Sequence, residues 1–257
     1  APEQNTFKGK KMTMTKPSGY ILWEGSSLLD GKPIVAIALM NSNNSKTSKM
    51  IQILYIRTDV DPISANKSGE DYSICGDCKL RGKAHNRKDR ATADERGCYV
   101  MLLGILAIYK AYKANKYPRI KTADFVEMTR DRTVRLGMYG DPACVPKRNN
   151  KMWIKNAKAH TAYSHQANTV GADYDPTICM RSADTLDEAR KAWAKGERTF
   201  RVGHLASMVK GKEILCPASE EAGRRTTCDK CKLCSGMTID AKSILIPAHG
   251  TGKRWVA

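Results

Sequence analysis

The cysteines constrain this chain more than any other feature of its sequence. Seven of the nine fall into two groups whose spacing is typical of metal ligands. The first group is a CxxC pair followed, after a basic loop, by a third cysteine, and it comprises Cys75, Cys78 and Cys98. The second is a CxxCxxC run preceded by a single cysteine, and it comprises Cys216, Cys228, Cys231 and Cys234. Because an odd total fits disulfide pairing poorly, metal ligation is the better interpretation.

The second group supplies a complete set of four thiolates. Its CxxCxxC run brings three thiolates around one centre, and Cys216, at the end of a predicted strand, adds the fourth. Zinc and a [4Fe–4S] cluster both accept four thiolates. The compact run, and the proline that follows Cys216, favour ferredoxin-type ligation of a [4Fe–4S] cluster. A metal that only stabilises the fold is the alternative.

The first group leaves a fourth coordination position open. If the metal is zinc, His85 or Cys144 has to close the site. If it is a second [4Fe–4S] cluster, one iron is free to bind a small ligand such as S-adenosylmethionine, as in radical S-adenosylmethionine enzymes. The remaining cysteine, Cys179, lies in a strand-like segment and is predicted to be a small buried residue.

The chain is strongly basic, with 44 Lys and Arg against 26 Asp and Glu and a formal charge of +18. This charge attracts phosphate polyanions, so nucleic acid is the leading partner class. A merely soluble basic surface and an acidic protein partner are the alternatives. The side chains that we predict to contact phosphate are Lys46, Lys49, Arg81, Lys83, Arg87, Lys88 and Arg90.

The apolar pattern predicts an α/β protein. Two runs rich in Ile and Val, at 33–40 and 50–57, flank the polar stretch NSNNSKTSK and predict a β-hairpin. Further along, short apolar strands alternate with helical patterns, which predicts a parallel sheet or a partial or complete β/α barrel-like core. The best-marked helix is 185–196, where Thr185 and Glu188 form a capping box and Gly196 ends the helix.

We predict a single domain over residues 1–257. Residues 1–19 form a basic arm, and residues 20–70 form a β-rich N-terminal part. Residues 71–117 contain the first cysteine group, the basic loop and an apolar helix that ends near Pro118. Residues 118–257 form the β/α part, which carries the second cysteine group. Both cysteine-rich segments are expected to be metal-binding loops on this core.

Several predicted strands run directly into a polar residue. These residues are Asp141, His165, Asp184, Cys216 and His249. The carboxyl ends of parallel strands converge on one face, so we expect the set to surround a site. The candidate catalytic residues are Asp141, His165 and His249, since histidines move protons near neutral pH or bind metal. The alternative is that Asp184 caps a helix, Asp141 belongs to a turn and the histidines are surface residues.

Other sequence signals limit the function classes. The N-terminus does not resemble a signal peptide, and the longest apolar run is too short to cross a bilayer, so we expect a cytoplasmic protein with no membrane partner. Motifs of P-loop NTPases, HExxH metalloproteases and GxSxG hydrolases are not found in the sequence. The oligomeric state is not indicated.

Several segments together resemble a bacteriophage family known as gene-product-88-like proteins, a domain of unknown function. They are YILWEGSSLLDGKPIVAIA, SKTSKMIQ, YSICGDCKLRG, VRLGMYGDPACVP, TAYSHQ, ERTFRVG, EILCPAS, CDKCKLCSG and SILIPAHG. The resemblance implies a phage origin and the cytoplasm of an infected bacterium, and it implies no activity. The CxxC pair with a distant third cysteine also resembles carbon–phosphorus lyase, a divergent radical S-adenosylmethionine enzyme, and the strand pattern is similar to the barrels of that group.

Two functions fit these observations. The first is an iron–sulfur enzyme of phage nucleic-acid metabolism, with one or two [4Fe–4S] clusters and S-adenosylmethionine as a possible co-substrate. The second is a zinc-stabilised nucleic-acid-binding protein without catalysis, in which both cysteine groups fix loops. Under either hypothesis, loss of the metal should disorder the basic loop.

Overall fold

A computed structural model of the chain describes residues 17–41, 44–223, 225–248 and 251–255. In these ranges the chain forms seven α-helices and ten β-strands, and the strands are arranged in two five-stranded sheets. The prediction of an α/β protein is therefore confirmed. Most of the predicted basic arm, residues 1–16, lies outside the described residues, as does His249.

The first sheet has the strand order β1 (Gly19–Ser26), β2 (Pro33–Leu39), β3 (Ile51–Arg57), β4 (Thr133–Arg135) and β5 (Ala159–Thr161). Strands β1 to β3 are antiparallel neighbours, whereas β4 and β5 run parallel to β3. Every residue of β3 is buried, and its Ile and Leu side chains suit a strand that is covered on both faces. The predicted hairpin at 33–40 and 50–57 is confirmed as β2 and β3.

The second sheet is parallel throughout. Its strand order is β6 (Tyr163–Ser164), β7 (Met180–Ala183), β8 (Thr199–Gly203), β10 (Ser243–Pro247) and β9 (Glu213–Leu215). Helix α6 (Leu186–Ala194) connects β7 to β8. Thr185 and Glu188 were predicted to cap its N-terminus, and the Thr185 hydroxyl accepts from the Glu188 amide at 3.1 Å. The Glu188 carboxylate in turn accepts a hydrogen bond from the amide of Asp184 at 2.8 Å. Strands β7 and β8 pair in parallel with α6 between them, so the segment is a βαβ unit.

The chain crosses from one sheet to the other at Ala162. This residue lies between β5 and β6, and its amide donates to the carbonyl oxygen of Cys234 at 2.9 Å, while its carbonyl accepts from Met180 at 2.9 Å. Within the described ranges the strands form two open sheets and do not close into a barrel. The prediction of a complete barrel is corrected accordingly: the strands of the β/α part divide between the edge of the first sheet and the second sheet, and the second sheet is the open parallel sheet that was the alternative.

The other helices lie between and around the strands. They are α1 (Pro62–Ser68), α2 (Tyr72–Cys75), α3 (Leu102–Lys113), α4 (Thr122–Met128), α5 (Lys147–Trp153) and α7 (Cys228–Cys231). Helix α3 is the predicted apolar helix, and it ends before Pro118. A large apolar core surrounds the first sheet, and a smaller one on the second sheet includes Cys216 and Cys234. In the described part of the chain, none of the helices has the length and apolarity that crossing a membrane requires.

Candidate metal centres

Three of the polar residues that follow parallel strands meet at one edge of the fold. Asp141 follows β4, His165 follows β6 and Asp184 follows β7. The Asp141 Oδ2 atom accepts from the His165 amide at 2.8 Å, and Nε2 of His165 lies 3.3 Å from Oδ1 of Asp184. The expected convergence therefore holds for these three residues, whereas Cys216 lies in a different site.

The first cysteine group lies at this same edge. Cys75 ends α2, and the amides of Gly97 and Cys98 both donate to the carbonyl of Leu80, which brings the far end of the basic loop back to the CxxC pair. Burial raises the pKa of the Cys75 thiol well above its ordinary value, and the neighbouring Asp71, Cys78 and Cys98 raise it further. Three thiols that perturb one another in a buried setting suit a cation that replaces their protons.

His165 is the residue that faces this thiol group. Its Nε2 atom lies 3.9 Å from Sγ of Cys78, and it also interacts electrostatically with Cys98. Burial alone lowers the pKa of His165, but Cys78 and the Asp184 carboxylate outweigh it and raise this pKa well above the ordinary value. The imidazole is therefore held in the negative field of sulfur and carboxylate groups, where a cation is stabilised.

Asp141 has the contacts of a positioning residue. Its Oδ1 accepts from the Ser164 hydroxyl at 2.7 Å and the Ala143 amide at 3.0 Å, and its Oδ2 accepts from the His165 amide and from Nε2 of Gln166 at 3.3 Å. The carboxyl group is buried, which raises its pKa. Oδ1 therefore holds Ala143 and Ser164, and Oδ2 holds the segment after β6, while the catalytic role of Asp141 stays a prediction.

Gln166 is a site residue that the sequence interpretation missed. Its Nε2 donates to the carbonyl oxygen of Cys75 at 2.8 Å, and its Oε1 accepts from the amide of Asp77 at 3.1 Å. Gly76 lies between them with φ of 51°, and a Cβ atom there would clash with Oε1 of Gln166. Two sequence signals could have identified Gln166: the glycine inside the CxxC pair, and the position of Gln166 next to a histidine at the end of a strand.

The second cysteine group encloses a cavity on the face of the second sheet. All four of its cysteines line this cavity, together with Tyr163, Phe200 and Ile244 from the sheet. The volume open to the centre of a water molecule is about 40 Å³. Burial raises the pKa of Cys234 to about 12, and it also raises the pKa of Cys228, an effect that Lys46 partly offsets.

Hydrogen bonds from the β2–β3 turn, from β4 and from the residue before β8 hold this cysteine segment in place. The amide of Cys228 donates to the carbonyl oxygen of Lys46 at 2.8 Å, and the Thr133 hydroxyl donates to the Asp229 carboxylate. The buried guanidinium of Arg198 donates to four backbone carbonyl groups. These belong to Leu233, Gly236, Ala241 and Lys242. The four thiols are therefore positioned by a rigid backbone as well as by their spacing.

The predicted phosphate-contacting residues divide into two kinds. Arg81 is half-buried, and its guanidinium is bonded to the Asp71 carboxylate at 2.9 Å and lies over the Tyr72 ring at 5.4 Å. In contrast, the side chains of Lys49, Lys83, Arg87, Lys88 and Arg90 are exposed. Arg87 and Arg90 are both paired with Asp94, and Lys83 is paired with Glu95. Lys46 lines the cavity of the second cysteine group.

The two residues expected to complete a zinc site in the first group have other contacts. Nε2 of His85 lies 2.8 Å from the carbonyl of Thr92, and its Nδ1 accepts from the Arg87 amide at 3.2 Å. Cys144 is fully buried in the larger apolar core. Cys179 is buried in the same core, as predicted for a small hydrophobic residue.

Comparisons with known proteins give no relative whose function could be transferred to this chain. Protein-family models, curated proteins and solved structures give no match. Among the described residues, no three His, Cys, Asp or Glu side chains are gathered closely enough, as they stand, to hold a metal ion. A functional assignment therefore rests on the geometry of the two cysteine groups.

Proposed function

We propose that the protein is an iron–sulfur protein that binds nucleic acid, and that it acts in the cytoplasm of a phage-infected bacterium. The observation that carries the metal assignment is the cavity enclosed by Cys216, Cys228, Cys231 and Cys234. Four thiolates that line one cavity are the ligand set of a [4Fe–4S] cluster.

The ligand pattern favours a cluster over a single zinc ion. Zinc and a [4Fe–4S] cluster both accept four thiolates. The compact CxxCxxC run and the proline that follows Cys216 are typical of ferredoxin-type ligation. In a cubane each thiolate binds a different iron, so the four sulfurs surround a volume rather than a point.

We assign this cluster a structural or auxiliary role. When bound, it supplies four metal–thiolate bonds and electron-transfer capacity. The residues of this chain hold the ligands: Arg198 fixes the carbonyl groups after Cys231, and Lys46 holds the amide of Cys228. The apolar rings of Tyr163 and Phe200 exclude water from the sulfurs.

The basic loop between Cys78 and Cys98 is the proposed nucleic-acid contact. Residues 79–96 include seven Lys and Arg against three Asp and Glu. An antiparallel bridge between Lys83 and Asp94 and the bonds of residues 97 and 98 to Leu80 fix the base of the loop, while its tip is exposed. A preorganised basic loop contacts phosphates with less loss of conformational entropy than a free one.

A radical S-adenosylmethionine mechanism is less well supported by the geometry. That chemistry requires an iron with an open position at Cys75, Cys78 and Cys98. His165 approaches this group from the strand edge and competes for that position. We therefore favour the binding function over the enzymatic one.

Metal analysis with cysteine variants tests the metal part of this proposal. The protein is purified anaerobically, and iron, acid-labile sulfide and zinc are measured with the visible absorption spectrum. We expect iron and sulfide together with a broad thiolate-to-iron absorption band, and we expect the double variant Cys228→Ser/Cys231→Ser to lose them. Cys179→Ala, outside both groups, is the matched control and should keep them. A colourless protein with zinc bound to the second group would overturn the proposal in favour of the zinc-stabilised alternative.

A further inference from the structure

The geometry points to His165 as the fourth protein ligand of the first cysteine group, which makes this group a closed Cys₃His site for a single Zn²⁺ ion. The inference rests on the proposed function only in that both cysteine groups bind metal. It assigns the two groups different metals: a cluster at the second group and one ion at the first.

The distance between His165 and Cys78 fits ligands of one ion. Their Nε2 and Sγ atoms are 3.9 Å apart. A tetrahedral zinc with bonds of about 2.3 Å to sulfur and about 2.0 Å to nitrogen separates two such ligands by about 3.5 Å. A shift of a few tenths of an ångström therefore suffices to bind both atoms to the same ion.

Backbone hydrogen bonds bring the other two cysteines to the same segment. The amide of Cys78 donates to the carbonyl of Cys75 at 3.2 Å, and the amide of Cys98 donates to the carbonyl of Leu80, two residues after Cys78, at 2.8 Å. All three cysteines are protected from solvent on at least part of their surface, and none is in a disulfide. As they stand, these four side chains are not close enough together to hold an ion, so zinc has to draw them into a set of three sulfur ligands and one nitrogen ligand, which is common for structural zinc.

The backbone around His165 is fixed independently of any metal. Asp141 accepts from the amide of His165, and Gln166 is bonded to the carbonyl of Cys75 and the amide of Asp77. These bonds join the residue after His165 to both sides of the CxxC pair. The imidazole is therefore carried on a segment already docked against its partner ligands, which reduces the entropic cost of assembling the site.

Zinc binding changes the protonation of the site in a defined way. The three thiols release their protons, and Nε2 of His165 gives its lone pair to the ion while the ring proton resides on Nδ1. The contact between Nε2 and Asp184 is then given up, and Asp184 retains Lys79, whose Nζ lies 3.8 Å from its Oδ2. Asp184 is thus a neighbour of the ligand, and its removal should leave the ion bound.

The test is zinc affinity and zinc-edge X-ray absorption on the full-length protein, purified with its iron in place. We expect one zinc per chain with about three sulfur neighbours and one nitrogen neighbour. His165→Ala should weaken zinc binding at least about 100-fold, because loss of supporting residues alone costs 10- to 100-fold. His165→Cys should retain zinc with four sulfur neighbours, and Asp184→Asn should bind it nearly as tightly as the unmodified chain.

The controls separate this inference from the proposed function. His204→Ala removes an exposed histidine and should leave zinc affinity unchanged. Iron and sulfide at the second group should be the same in all four variants. Unchanged zinc affinity in His165→Ala overturns the inference, and so does a second iron–sulfur cluster in place of zinc. Absence of both metals would instead remove the proposed function.

Discussion

The side-chain amide of Gln166 donates to the carbonyl oxygen of Cys75 at 2.8 Å, so the end of β6 is bonded directly to the CxxC pair. Residues 75 and 166 are distant in sequence and belong to different parts of the fold. This bond brings His165, the neighbour of Gln166, to the thiol group of Cys78. The first cysteine group is thus assembled from a loop and a strand edge, and not from a loop alone.

The first prediction concerns Gln166 itself. Gln166→Ala removes a buried donor and leaves the carbonyl of Cys75 and the amide of Asp77 without this partner. We expect the free energy of unfolding to fall by about 1–3 kcal/mol. Urea denaturation measures the change, with Asn86→Ala in the exposed loop as the control that should stay within about 0.5 kcal/mol. Equal stability of the two variants would show that the bond does not hold the CxxC pair.

The second prediction concerns the close approach of Gly76 to Gln166. Gly76→Ala places a Cβ atom against Oε1 of Gln166 and also strains the backbone at φ of 51°. Gly211→Ala has only the backbone strain, since φ is 88° and the space around it is open. We expect Gly211→Ala to lose about 1–2 kcal/mol from strain. Gly76 has a ψ of −132°, which lies outside the left-handed helical region, so its backbone strain is larger. The clash with Gln166 causes an extra loss of about 1–3 kcal/mol at Gly76.

A double-mutant cycle separates these two effects. In the Gln166→Ala background the extra loss at Gly76 should largely disappear, because the side chain that it strikes is gone. Additive losses in the double variant would contradict the contact. Denaturation midpoints of the four proteins provide the measurement.

The third prediction concerns the exposed basic side chains of the loop between Cys78 and Cys98. We expect Lys83→Ala/Arg87→Ala/Lys88→Ala to reduce the salt dependence of nucleic-acid binding, lowering the slope of log K against log salt by about 2–3. Lys121→Ala/Lys155→Ala/Lys158→Ala removes the same charge from other exposed positions and is the matched control. Fluorescence anisotropy at several salt concentrations gives both slopes. An equal decrease in the two variants would mean that net charge matters and the loop does not.

The fourth prediction concerns Arg198, whose guanidinium donates to four carbonyl groups around the second cysteine group. Arg198→Ala leaves these buried acceptors without their partner, and we expect a loss of about 2–4 kcal/mol with faster release of iron to a chelator. Arg190→Ala, at an exposed position of α6, is the control and should release iron at the rate of the unmodified protein. If Arg198→Ala releases iron at the same rate as the unmodified protein, Arg198 does not hold the cysteine segment in place.

Local signals in the sequence predicted the elements whose stability is local. The hairpin of β2 and β3 follows from two Ile- and Val-rich runs, and α6 follows from the Thr185 and Glu188 pair, which the structure places in hydrogen-bond contact. The cysteine spacing indicated two groups. Each of these features depends on residues that are close in the chain.

Features that depend on distant residues could not be read in this way. The insertion of β10 between β8 and β9, and the crossing between sheets at Ala162, are set by packing of separate segments. For the same reason the sequence does not indicate that His165 lies beside Cys78, a proximity that the fold creates. The long gap between Cys78 and His165 carries no spacing signal.

The central claim is that the two cysteine groups bind different metals, and the most direct test is the metal and sulfide content of one anaerobically purified sample. The account predicts roughly four iron and four sulfide atoms with one zinc per chain. About eight iron atoms without zinc would contradict the closed site at His165, and zinc without iron or sulfide would contradict the cluster at the second cysteine group.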